Sequence, residues 1–196
     1  MRALKVFAAL AMLLLCVSIG QAETPLTFYG GLGYGKILND GAPDGSIGLT
    51  GGVMFPLSSV ENLSIGGELG YLMLGKVDER ECDMFGNCYE GEMTWSLIPI
   101  TGQVWYAVPT EGNMTPLLTG GLGFYMSRVK AEINTPFGSG DDTTSETDLG
   151  LNFGGGLKFG DPEASIQFGG DARFHLVMTE GDSLKVIAIM AKIFFG

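Results

Sequence analysis

Taken at every second residue, the closing stretch from Ser183 to Phe195 splits into two unlike faces. Ile187, Ile189, Ala191, Ile193 and Phe195 share one face, while Val186, Ala188, Met190 and Lys192 share the other. Strand side chains alternate strictly between faces, so this spacing belongs to a strand with one side purely apolar and the other able to carry a charge. Glycine supplies 32 of the 196 residues, which weighs against long helices. After residue 22 no window of helical period stands out.

The same device recurs between turn signals. Strands are expected at 26–37, 46–56, 63–76, 93–107, 117–132, 148–160, 164–178 and 184–195. In the second, Ile47, Leu49, Val53 and Phe55 oppose Ser46, Gly48, Thr50 and Gly52. In the third, Leu63, Ile65, Leu69 and Tyr71 oppose Ser64, Gly66, Glu68 and Gly70. The sixth sets Leu151, Phe153, Leu157 and Phe159 against Asn152, Gly154, Gly156 and Lys158, and the seventh sets Phe168, Ala172 and Phe174 against Gly169, Asp171, Arg173 and His175. A soluble sandwich would paint its outer face with charge. Here the polar face is mostly Gly, Ser and Thr, which suits a crowded lumen, with the apolar face turned to lipid. Two strands read less cleanly: Pro99 removes a ladder donor from the fourth and suggests a bulge or a misplaced boundary. In the fifth, Arg128, Lys130 and Glu132 follow Leu122 and Phe124, so that strand is expected to run beyond the membrane.

The first residues stand apart. Arg2 and Lys5 precede an apolar run from Val6 to Ile19, and Gly20-Gln21-Ala22 places small residues where a signal peptidase cuts. The run is short for a bilayer span of about 20 residues. Leu15 before Cys16 is a poor lipidation context. A cleaved signal peptide is therefore expected over 1–22, and a single outer-membrane barrel domain over 23–196. Cleavage removes two cations and no acid, deepening the formal charge of −11 by two units. Such acidity excludes nucleic acid as a partner, since phosphates need cations.

With both termini in the periplasm, short inner turns are expected at 57–62, 108–116 and 161–163. Outer loops are expected at 38–45, 77–92, 133–147 and 179–183, and these hold most of the acids. Carboxylates at that density would suit divalent-cation bridging to surface lipopolysaccharide. Cys82 and Cys88, the two cysteines left after export, lie on the longest outer loop and are expected to form a disulfide in the oxidising periplasm. Eight strands enclose an interior filled by side chains, so charges there must pair. The expected polar network is Glu68, Arg128, Lys158, Asp171, Arg173 and Lys192. Leu69→Arg should block assembly far more than Gly70→Ser.

Pro116 to Tyr125 (PLLTGGLGFY), Leu151 to Phe159 (LNFGGGLKF) and Phe168 to Leu176 (FGGDARFHL) carry a further signal. They resemble the second half of the small bacterial outer-membrane β-barrel proteins, in which a Gly-x-Gly-aromatic strand precedes a Gly-Gly-hydrophobic strand and one with an Arg-aromatic pair. The resemblance implies an all-β, eight-stranded antiparallel up-and-down transmembrane β-barrel, OmpA-like or OmpX-like, in the outer membrane of a Gram-negative bacterium. It also implies that the barrel-assembly machinery inserts the chain, and it carries over no catalytic residue. Such chains usually end on Phe, whereas Gly196 follows Phe195 here.

No reactive constellation emerges. Gly30 to Lys36 matches the start of a phosphate-binding loop, but Ile37 stands where Ser or Thr should hold magnesium. His175 is the single histidine, without a neighbouring nucleophile or metal-ligating partner in sequence. No catalytic residue, cofactor site or metal site is therefore expected. The expected function is a non-enzymatic outer-membrane barrel with a structural, envelope-integrity role or a surface-interaction role through acidic loops, in contact with outer-membrane lipid and lipopolysaccharide. The alternatives are an outer-membrane enzyme or small-ligand barrel, and a soluble periplasmic lipocalin-like barrel.

Overall fold

The computed structural model describes residues 26–82, 88–135, 138–161, 164–179 and 181–196, with the side chains of 79–82, 88–90, 133–135 and 138 left aside. The expected signal peptide lies outside these residues. Eight antiparallel strands follow one another around a closed barrel: β1 Thr27–Ile37, β2 Ser46–Pro56, β3 Leu63–Cys82, β4 Cys88–Ala107, β5 Met114–Thr135, β6 Gly138–Phe159, β7 Ile166–Met178 and β8 Ser183–Phe195. The alternation sets which side faces out. Leu32, Ile47, Leu49, Leu69, Leu122, Phe153, Phe168 and Ile189 are exposed on the outer wall, while Tyr29, Met54, Leu72, Leu97, Tyr125, Val177 and Val186 are buried inside. Closure comes from β1 against β8, in register from Phe28↔Phe195 to Ile37↔Val186. Gly33 sits in that seam because a Cβ there would come within 1.9 Å of the Ile189 carbonyl. At the terminal end Gly196 donates its N–H to the Ser165 carbonyl at 3.3 Å, so the last residue ties β8 to the β6–β7 turn.

Strand length divides the barrel in two. β1, β2, β7 and β8 run 11 to 13 residues, and β3 to β6 run 20 to 22. The segments 77–92 and 133–147, expected as loops, are mostly strand. Their acids sit beside cations and β-branched residues: Lys76 bridges Asp78 on its own strand at 3.2 Å and Glu92 across the β3–β4 ladder at 2.5 Å, and Lys130 bridges Glu132 on its own strand. Opposite charges placed across a ladder support a strand. The result is a four-stranded sheet that rises past the rest of the rim.

Pro99 lies within β4, not at a boundary. It points inward, and the β3–β4 pairing skips from Leu69↔Ile100 to Leu72↔Leu97 around it. The bulge lies in β3, between Met73 and Gly75. Leu74 and Gly75 both point inward there, and Lys76 turns outward. Gly75 adopts φ 124°, a region few side chains tolerate, and a Cβ on it would lie 2.1 Å from the Asp44 carbonyl. The β1–β2 loop therefore folds over the bulge. Its other anchor is Asn39, whose amide donates to the Ser183 carbonyl at 2.9 Å and whose oxygen accepts from the Lys185 N–H at 2.9 Å.

Candidate functional site

The lumen is built in layers. Nearest the termini, Tyr29, Met54, Trp105, Leu117 and Phe194 form one apolar cluster. At the far end Ile37, Leu72, Leu74, Leu97, Val177, Val186 and Met190 form another, capped by Ala42, Trp95 and Leu184. Four charges lie between them. Glu68 on β3 accepts from Arg173 Nη1 at 2.7 Å through Oε1, and through Oε2 from the Tyr29 hydroxyl at 2.8 Å and Lys192 Nζ at 3.4 Å. Asp171 Oδ2 accepts from Arg173 Nε and Lys192 Nζ, both at 2.7 Å. Two acids thus meet two bases, all at least nine-tenths buried. Burial makes an unpaired charge costly, and mutual pairing offsets that cost. Lys192 Nζ also stands 4.8 Å from the Tyr29 ring centre, and Arg173 lies 6.0 Å from that of Trp105, so the aromatic layer faces the cations.

These four come from the expected network of six. Arg128 and Lys158 are elsewhere. Arg128 shares its face with Leu122, which is 66% exposed, so the even-numbered positions of β5 look outward and Arg128 stands outside the lumen. Strand parity, read straight through β5, already required this. Lys158 points inward near the terminal end and takes no part in these contacts. Tyr29 was missed, although it occupies the glycine-rich face of β1 with a hydroxyl to spend, which is the available signal.

Above the quartet lies a neutral polar layer. The Tyr125 hydroxyl meets His175 Nδ1 at 3.2 Å and accepts from the Asn152 amide at 3.1 Å. Gln103 donates to Thr101 at 2.7 Å. His175 is 3% exposed and bonded to a phenol, an arrangement for packing and hydrogen bonding. A cavity of about 10 Å³ lies beside Glu68, Asp171, Arg173, His175 and Lys192, roughly the room one water takes. Among the described residues no group of three or more His, Cys, Asp or Glu side chains could hold a metal ion.

Outside the barrel, the protruding sheet has two different faces. Lys76, Asp78, Glu92, Arg128, Lys130 and Glu132 lie on the face continuing the outer wall. Val77, Met93, Trp95, Val129 and Ala131 lie on the face continuing the lumen, with Met93 47% exposed. Clear of the apolar belt, the Glu132 hydrogen bond strengthens the Lys130 ammonium's hold on its proton and keeps the Glu132 carboxyl below the usual carboxylate range. The backbone of Cys82 pairs directly with that of Cys88 at the tip of β3–β4; their side chains lie outside the described residues.

The barrel is similar to Neisserial surface protein A, with a TM-score of 0.56 at 10% identity over 87% of this chain and 96% of that one. It is also similar to Ail, the attachment invasion locus protein of Yersinia pestis, solved in complex with the heparin analogue sucrose octasulfate. That TM-score is 0.52 at 16% identity over 89% of this chain and 99% of the other. A major outer membrane protein from Thermus thermophilus gives 0.51 at 13% identity over 87% and 98%. Identities this low speak for the fold alone. No curated protein matches the chain. A family model described as outer membrane protein beta-barrel domain matches residues 7–191, nearly the whole length. Closed, with an apolar outer belt and a filled lumen, the chain belongs to the outer membrane protein beta-barrel domain family and resides in the bacterial outer membrane.

Proposed function

We propose that this barrel, exported with loss of residues 1–22, is a non-enzymatic surface protein whose protruding β3–β6 sheet meets partners outside the cell. The observation that supports it most is the length contrast between β3 to β6 and the other four strands. Lipid contact alone needs about 9 to 11 residues per strand, so the surplus serves something beyond the bilayer. The lumen favours an envelope-structural role for the barrel itself, because its four buried charges, Glu68, Asp171, Arg173 and Lys192, are paired with one another. Outward-facing Lys36, Lys76, Arg128, Lys130 and Lys185 all stand at the protruding end, where phosphates of lipopolysaccharide would meet them. Carboxylates further out suit divalent-cation bridging to the same lipid. If magnesium left thermal stability in lipopolysaccharide-containing vesicles unchanged, that bridging would be discarded. Sucrose octasulfate, seen with Ail, is a polyanion. The acidic β6 extension of this chain disfavours such a ligand.

A Ser139→Cys variant tests the orientation through its reaction with a membrane-impermeant maleimide on intact cells. Labelling before permeabilisation is expected. Labelling after permeabilisation alone would turn the sheet to the periplasm and sink the surface reading. The same cells should yield a detergent-extractable, heat-modifiable band, whereas a lipocalin-like protein would be released without detergent.

A further inference from the structure

On the outer wall β6 and β7 carry two phenylalanine pairs. Phe159 stands directly opposite Phe168, and Phe153 stands opposite Phe174 with ring centres 5.4 Å apart. Between them the facing pairs are Leu157↔Gly170 and Gly155↔Ala172, and Gly170 in turn faces Ala191 on β8. Gly155, Gly170, Ala172 and Ala191 thus form a patch with no side chain larger than a methyl. Large apolar side chains border it on every side: the two phenylalanine pairs along the strands, Leu118 of β5 beside Gly155, and Leu32 of β1 beside Ala191. The result is an open hollow of about 620 Å³ in the wall. Its small residues are small for different reasons. A Cβ on Gly170 would lie 2.6 Å from the Met190 carbonyl, so the backbone itself requires that glycine. Ala172 and Ala191 are exposed and line the hollow, which longer side chains at those positions would fill.

We propose that this hollow seats one acyl chain of a glycerophospholipid and holds it longer than the lipid around it. The wall lies in the hydrocarbon of the outer membrane, so the medium that meets the hollow is lipid. Apolar surface gains nothing hydrophobic from lipid tails, and retention rests on dispersion contacts instead. A chain lying over Gly170 and Ala172 between the phenylalanine pairs touches protein beneath and on both flanks, whereas a chain on the convex wall touches it beneath alone. A second copy of this barrel is a poor occupant. The two-fold contact commonest among oligomers would set one hollow against another and leave a void. Gly170 and Ala191 lie in the halves of β7 and β8 nearer the termini, away from the outward cations suited to lipopolysaccharide phosphates. Phospholipid and not lipid A is therefore the source of the chain. That choice of lipid rests on the orientation proposed above; the hollow does not.

The test places the folded barrel in vesicles of phosphatidylethanolamine and phosphatidylglycerol with a trace of phosphatidylethanolamine bearing a diazirine in its acyl chain. After irradiation, adducts mapped by peptide mass are expected to gather on 155–159, 169–172 and 189–191. Their density should be roughly tenfold above that on the equally exposed wall around Leu49, Leu69 and Ile100. Ala172→Leu combined with Ala191→Leu fills the hollow and should bring its labelling down to the level of that wall, while Val104→Leu, on the outer face of β4, should leave the pattern unchanged. A heat-modifiable gel band certifies that each variant is folded, and the wild-type map needs neither of them. Labelling spread evenly over the exposed wall overturns the proposal, as does labelling of the hollow that survives its filling. Crosslinks between two barrels through this patch, lost in the filled variant, would give the hollow to a second copy and overturn it as well. Unlabelled lipopolysaccharide added to the vesicles should leave the adducts in place. Its displacement of the label would assign the hollow to lipid A and overturn the choice of phospholipid.

Discussion

Glu68 receives a phenol, a guanidinium and an ammonium on two oxygens, and the charges of its quartet cancel. Removing one member leaves an uncompensated buried charge, a loss of about 3–5 kcal/mol in comparable pairs. Lys192→Met should therefore lower the urea midpoint for unfolding from detergent or vesicles. Adding Asp171→Asn should restore much of the loss, because Glu68 and Arg173 then remain as a neutral pair. A double variant no more stable than Lys192→Met would show that the four do not act as a unit. Much of this quartet is legible in sequence, since Glu68, Asp171, Arg173 and Lys192 each fall on the strand face opposite an apolar, lipid-facing one. Which strands bring them together depends on barrel closure, which no local pattern states. Leu69 is exposed to lipid, and Leu69→Arg near mid-membrane should cost about 2–4 kcal/mol and reduce outer-membrane yield. Gly70→Ser is a poorer control than its polar face suggests, because a Cβ there would lie 2.8 Å from Pro99 Cγ. Gly35→Ala is the better one: its new Cβ would meet Leu72 and Leu74 at ordinary distances, the nearest 3.6 Å away. Yield near wild type for Gly35→Ala and low for Leu69→Arg is the expected result, and equal yields would contradict the face assignment.

At the scale of elements, β3 shows where sequence reading runs out. Its alternation holds from Leu63 to Met73, then Leu74 and Gly75 both turn inward and the parity inverts. In a chain whose strands are full of glycine, nothing local hints that Gly75 has positive φ and a loop packed against it. Gly75→Ala should cost about 1–3 kcal/mol from backbone strain, plus displacement of the β1–β2 loop. Faster protease cleavage within 38–45 would reveal that displacement, and unchanged cleavage would count against the loop being held there. The β5 and β6 extensions misled for another reason. Acid density resembles a solvated loop, and the backbone pairing of β5 with β4 and β6 that makes those residues a strand is not stated by any local pattern. The β3–β4 tip carries its own prediction. Directly paired positions in an antiparallel ladder have Cα atoms about 4.5–5.5 Å apart, within the range a disulfide spans. A native-state mass lower than that of the reduced chain by a pair of hydrogens is expected for Cys82–Cys88, and two alkylatable thiols would exclude the bond. Closing so small a ring contributes roughly 2 kcal/mol, confined to the hairpin tip.

For the molecule as a whole, the two apolar clusters act in series. Ions would have to pass Tyr29, Trp105 and Phe194 at the terminal end, then the charged quartet, then Leu72, Leu97, Val177 and Val186 at the other. Eight strands leave an interior that side chains fill, and the cavity beside the quartet is of the order of one water. Wild-type barrel in planar bilayers should therefore show no ohmic conductance steps. Truncating the aromatic cluster by Trp105→Ala should cost about 3–5 kcal/mol in stability, yet it leaves the second cluster intact. That variant is expected to fold less stably and still not conduct. Opening a path would require small residues in both clusters at once, for instance Trp105→Ala with Leu97→Ala and Val177→Ala. Conductance in the single variant would mean that the far cluster does not seal. Steady conductance in wild type would mean that the layers do not pack as tightly in a membrane as their burial implies, and the envelope-structural reading of the barrel would then give way to transport.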